Sequence, residues 1–134
     1  MAKMTPEMIQ TIEKQNPVPI ATASADSIPN VAFVGFLKVV NEDTIMVADN
    51  FFNKTKQNLQ ENNKVAFVVY DGYTKRSYQI KGTAEVKTSG PEYDEMVEWV
   101  NSLMPDMPKK AAVMIHVDEV FDSQPGPKAG SKII

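Results

Sequence analysis

The sequence predicts a mainly β domain with helices, its six antiparallel strands curled into a small barrel. Three observations carry that expectation. Six runs rich in β-branched and aromatic residues outnumber the helical runs. The links between the earlier strands are of hairpin length, unlike the regular long helices that join parallel strands. The strands are apolar on both alternating faces, a pattern that closing into a small barrel satisfies. With 134 residues, the chain is expected to form one domain over residues 1–134.

The elements follow in order. Thr5 can cap an opening helix, Pro6 suits its first position, and Met8, Ile9 and Ile12 fall at helical spacing. Asn16-Pro17 ends it, because the residue before a proline avoids the helical region. Residues 18–25 read as a strand, Asp26-Ser27 as a turn, and residues 28–40 as one longer strand that contains Gly35. Asn41-Glu42-Asp43 turns the chain into a strand over 44–48. Residues 53–62 are polar, with Leu59 their one large apolar side chain, and read as a short helix capped by Asn53. Strands follow over 64–70 and 77–87, joined through Asp71-Gly72. Gly90-Pro91 opens a stronger helix. Tyr93, Met96, Val97, Val100, Leu103 and Met104 form its apolar stripe, with Trp99 at the edge and acids in the first turn. Met104-Pro105 closes it, residues 111–121 form the sixth strand, and the ending QPGPKAGSKII is loop-like with an apolar end expected to dock.

Composition removes several chemistries. There is no cysteine, so disulfides, zinc–thiolate sites, iron–sulfur clusters and cysteine nucleophiles are excluded. His116 is the single histidine, which removes multi-histidine metal sites, and no metal site is expected. A net charge of −3 argues against general nucleic-acid binding. No apolar run approaches the ~20 residues of a membrane span, and the start MAKMTPEM lacks the apolar core of a signal peptide. These features lead to the expectation of a soluble cytoplasmic domain whose chemistry comes from a bound cofactor.

Charge is unevenly spread. Residues 51–90 carry net +4, between an N-terminal part of −3 and a C-terminal part of −4. That is either chance clustering on a solvated face or a local anion site. The helix at 53–62 sharpens the choice. A first turn normally carries Asp or Glu against the positive end of the helix dipole. Here it carries Lys54, Thr55 and Lys56. Backbone amides, an ammonium and a hydroxyl thus converge where a phosphate would fit, unless both lysines simply point into water. Gly35 interrupts a strong strand run, VAFVGFLKVV, and marks either a bulge or a close backbone approach that a flat ring can use. His116, the carboxylates of the 91–104 helix, and Lys75-Arg76 carry no specific signal.

The order of these pieces resembles the FMN-binding split-barrel family, which includes pyridoxamine 5′-phosphate oxidase and the small bacterial FMN-binding proteins. The segments are IATAS, PNVAFVGFLKVVNEDTIMVAD, NKTKQNLQENNKVAFVVYD and YQIKGTAEV, within roughly residues 20–121. The small FMN-binding proteins are the closer match in length and in "KT" followed by "NL". The resemblance implies a split barrel. It implies a flavin phosphate held at Lys54 and Thr55 with Asn53 bordering it, and Phe33, Val34 and Gly35 running beside the isoalloxazine ring. Ala48 and Asp49 fall where the next strand contacts the flavin. Ser77 falls where the oxidase has a flavin-contacting glutamine, with Gln79 two residues further on.

Departures from the oxidase pattern argue against pyridoxamine phosphate oxidation. Phe33 stands where the oxidase has arginine, Lys54-Thr55 where it has arginine–lysine, and no arginine or histidine follows His116. What remains is an expected homodimeric FMN flavoprotein for electron transfer or flavin-dependent reduction, with an unspecified redox partner and no identifiable catalytic acid or base. The alternative class is a binding module that holds a nucleotide-like ligand, deazaflavin or haem, without turnover. A third is a structural barrel that binds neither.

Overall fold

In the computed structural model, which describes residues 2–134, the elements run α1 (Pro6–Lys14), β1 (Val18–Ala23), β2 (Pro29–Val34), β3 (Leu37–Asn41), β4 (Thr44–Asp49) and α2 (Lys54–Glu61). They continue with β5 (Lys64–Tyr70), β6 (Ser77–Lys87), α3 (Pro91–Leu103) and β7 (Ala111–Asp122). All strand pairs are antiparallel, in one sheet ordered β2-β1-β5-β6-β7-β4-β3. The sheet has seven strands where six were expected, because residues 28–40 break at Gly35-Phe36 into two strands with different partners. β2 pairs with β1, and β3 pairs with β4.

That break shapes the molecule. β2 and β3 lie at opposite ends of the sheet order, yet only Gly35 and Phe36 separate them in the chain. Three Cα steps span at most ~11 Å, so the sheet must curl until its two edges meet. The result is a split barrel, its seam at Gly35-Phe36. The break also resets which face each side chain takes. Unbroken alternation would set Val34 with Phe36 and Val40, opposite Leu37 and Val39. Instead Val34, Leu37 and Val39 pack on the barrel core, and Phe36 turns outward to meet Trp99 edge-on, with ring centroids 5.8 Å apart.

The barrel core is built from inward residues such as Ile20, Ile45, Val47, Phe67, Ile80 and Ile115, with Met8 and Ile12 of α1 packed against them. Thr5 caps α1 by accepting the Met8 N–H at 3.3 Å. β4 is buried along its whole length because each face has its own cover. Ile45 and Val47 face the barrel, while Met46 and Ala48 face α3 with Met96, Val100, Ala112 and Met114. Full burial of a side chain such as Met96 or Val100 contributes ~1.5–3 kcal/mol. The stripe of α3 runs out before its end. Leu103 and Met104 were expected on the buried face and are exposed, beyond the strands that cover Met96 and Val100. The C-terminal residues double back along β7: Ile133 N–H donates to the Val120 carbonyl at 2.8 Å, and Val120 N–H donates to the Ile134 carbonyl at 2.9 Å.

Candidate functional site

The chain leaving β4 builds the site. Asp49 is buried, and its carboxylate accepts the Phe52 N–H at 2.9 Å, which folds residues 50–53 into a tight turn. Phe52 therefore packs toward the core, whereas Phe51 stays 72% exposed. Asn50, also buried, accepts the Lys109 N–H at 3.0 Å, and Tyr93 donates its hydroxyl proton to the Lys109 carbonyl at 2.9 Å. These bonds fix the segment after α3 and place Met107 beside the turn.

A groove of about 460 Å³ lies between that turn, β2 and the start of α2. One wall is the β2 run from Asn30 through Val34, continued by Gly35 and Phe36. Ala48 and Met107 contribute apolar surface, and Asn53, Lys54 and Thr55 form the polar end. β2 is an edge strand, so its backbone groups on the side away from β1 have no strand partner. A Cβ built at Gly35 meets nothing within 4 Å, so the opening there belongs to the groove and not to tight backbone packing.

The polar end has the electrostatics of an anion site. The first ladder bond of α2 runs from Gln57 N–H to the Asn53 carbonyl at 3.0 Å, so the amides of Lys54, Thr55 and Lys56 precede it. Asn53 occupies the cap position but makes no side-chain capping bond, contrary to the expectation that it caps α2. No acid stands in the first turn. Uncapped amides, an exposed lysine and a buried threonine hydroxyl thus share one end of the groove.

Of the expected site residues, the structure brings Phe33, Val34, Gly35, Ala48, Asn53, Lys54 and Thr55 to this one groove. Asp49 and Ser77 do not line it. Asp49 acts one step back, by shaping the turn that carries Phe51 and Asn53. Ser77 sits at the start of β6 opposite Tyr70, its carbonyl accepting the Ser123 N–H at 3.0 Å. Sequence reading missed Asn30, Asn50 and Phe51 as lining residues. Asn30 left a signal: a polar side chain in the otherwise apolar run PNVAFV.

The perturbed titratable groups lie elsewhere. Glu85 is held below the usual carboxylate range by Lys87 first and His116 second, and Lys87 is raised mainly by Glu85. Among the described residues there is no His/Cys/Asp/Glu cluster able to hold a metal, and no helix is long and apolar enough to cross a membrane.

Comparison with known proteins agrees with this architecture. The family model described as pyridoxamine 5′-phosphate oxidase matches residues 4–124, and the chain belongs to that family. It is 41% identical over 136 residues to an uncharacterised protein of Methanocaldococcus jannaschii, covering 99% of this chain and 89% of that one. Among solved structures it resembles HupZ of Group A Streptococcus, with 29% identity and a TM-score of 0.83 over 95% of this chain and 99% of that one. An FMN-binding protein of Syntrophomonas wolfei shares the fold at 20% identity and a TM-score of 0.67, over 86% of this chain and 85% of that one.

Proposed function

We propose that this chain is an FMN-binding flavoprotein whose β2–α2 groove holds the cofactor for electron transfer or flavin-dependent reduction of a partner molecule. The observation that carries the reading is the pairing of an acid-free, uncapped helix start with an apolar edge-strand wall in one groove. Its volume lies within the usual ~300–1,000 Å³ range of small-molecule sites. Lys54, Thr55 and the first amides of α2 would take the phosphate, and the backbone of Phe33 to Gly35, with Phe51, would border the ring. When bound, the flavin supplies the redox chemistry; the protein supplies binding, orientation and exclusion of water.

The groove fits a flavin better than a haem. Its lining residues include no histidine, cysteine or tyrosine, three of the usual protein ligands of haem iron, and Met107 is its one sulfur-bearing side chain. The test is a titration with FMN and with riboflavin, which lacks the phosphate. FMN is expected to bind at least tenfold tighter, the worth of one charge-assisted bond at ~1.5–3 kcal/mol. Equal affinities would remove the phosphate assignment.

The proposal includes a homodimer. On β2, Val31 and Phe33 share one face and are 67% and 71% exposed, with Phe51 lining the same groove. Apolar surface of this kind usually marks an interaction site, and two-fold self-association is the commonest way to cover it. Light scattering at micromolar concentration is expected to give twice the 14.9 kDa chain mass. A flavin-loaded species of single-chain mass defeats the dimer.

A further inference from the structure

Beneath the start of α2 runs a chain of side-chain hydrogen bonds that the phosphate reading leaves unused. Asn58 of α2 donates its Nδ2 proton to Thr22 Oγ1 of β1 at 3.0 Å. Asn30 of β2 donates from Nδ2 to Thr55 Oγ1 at 3.2 Å and to Thr22 Oγ1 at 3.5 Å. Thr22, Thr55 and Asn58 are all buried, while Asn30 is half-buried and lines the groove. Three elements are thereby tied together at the end where the anion would sit.

A hydroxyl has one proton and two lone pairs. At Thr55 one lone pair takes a proton from Asn30, and no acceptor among the described residues takes the proton of Thr55 itself. Thr55 is 4% exposed, yet its side chain borders the groove. A buried hydroxyl held as an acceptor on its protein side has its own proton left for whatever fills the groove.

We propose that Asn30 sets the site's preference for a phosphate-bearing ligand by donating to Thr55, which fixes that hydroxyl as a donor to the phosphate oxygen. Asn30 acts here as a positioning residue, through Thr55, and the inference rests on the phosphate reading above. It assigns phosphate discrimination to a β2 side chain rather than to Lys54 and the helix amides alone.

The test measures dissociation constants for FMN and riboflavin in the wild type, Asn30→Ala, Thr55→Val, the double variant and Asn30→Asp. The readout is the FMN-to-riboflavin affinity ratio, which general loosening of the fold does not move. Thr55→Val is expected to lower the ratio about tenfold, the worth of a hydrogen bond to a charged group. Asn30→Ala is expected to lower it severalfold, and the double variant to fall no further than Thr55→Val, because both changes act through one hydroxyl. Asn30→Asp keeps the size of the side chain but has no proton to give. It turns the Thr55 proton inward, adds a negative charge beside the phosphate, and is expected to lower the ratio most.

Asn30→Ala lowering both affinities equally, or lowering the ratio by the same factor with and without the Thr55 hydroxyl, overturns the inference. A wild-type ratio retained in Asn30→Asp does so too. If Asn30→Ala does not fold, Asn30→Asp in the Thr55→Val background decides: a ratio lowered there by the same factor as in the wild type reports charge repulsion alone and overturns the inference. A wild type that binds both ligands equally is a different outcome: the phosphate reading itself falls first, and the role of Asn30 falls with it.

Discussion

Gly82→Ala is expected to destabilise the protein by about 2–3 kcal/mol, a drop of roughly 10 °C in melting temperature. A Cβ built on Gly82 lies 2.6 Å from the His116 carbonyl oxygen and 2.7 Å from Ile115 Cγ2. The first of these contacts is backbone, in the middle of the β6–β7 ladder, and cannot rotate away as a side-chain tip does. The β6–β7 register shifts between Lys81 and Gly82, so the close approach belongs to an irregularity that bends β6. Gly35→Ala is the matched control. A Cβ there meets nothing within 4 Å, and the φ is not in the left-handed region, so melting is expected to change by less than about 1 kcal/mol. Thermal melts of the two variants side by side check both statements. A Gly82→Ala protein as stable as Gly35→Ala would mean that the β6–β7 approach is looser than described.

The two glycines also show what was legible in the sequence. Both interrupt strand-forming runs, and sequence alone singles out Gly35 because it breaks the strong strand run VAFVGFLKVV. The structure divides their roles: Gly82 is required by packing, while Gly35 marks the barrel seam and opens onto the groove. What distinguishes them is the partner strand, and strand partnership is a long-range property that local pattern does not encode. The same limit explains the missed break at Gly35-Phe36. Thirteen residues of strand-forming composition read as one strand, because nothing local announces that β2 and β3 pair at opposite edges of the sheet.

Local chemistry was more legible than pairing. Thr5-Pro6 and Gly90-Pro91 open the first and third helices where proline geometry places them. The acid-free start of α2 was visible as a misplaced pair of lysines, and the structure puts it at one end of the groove. Asn53 has the residue type of a cap, yet at φ −128° and ψ −85° its side chain makes no capping bond. The roles of Asn30 and Asn50 depend on Thr55 and Lys109, which are distant in sequence and adjacent only after folding.

Lys54→Ala is expected to weaken FMN binding about tenfold to a hundredfold while leaving riboflavin affinity and the apo fold essentially unchanged. Lys54 is exposed at the positive end of α2, where a cation is disfavoured by ~0.3–1 kcal/mol unless an anion lies nearby. Removing it from the apo protein therefore costs little and is expected to raise the apo melting temperature slightly. With FMN bound, the same ammonium makes a charge-assisted contact, and its loss removes ~1.5–3 kcal/mol. The two states thus respond with opposite signs, which a structural role for Lys54 does not produce. Ligand linkage makes the difference measurable: at saturating FMN, each tenfold loss of affinity removes about 1.4 kcal/mol of ligand-dependent stability. Melting curves of wild type and variant, each with and without excess FMN, provide the four numbers required. A variant whose apo form loses as much stability as its FMN-loaded form would place Lys54 in the fold, and the phosphate would then need another cation. Within the lining of this groove Lys54 is the only one, so the helix amides and the Thr55 hydroxyl would have to hold the anion without it.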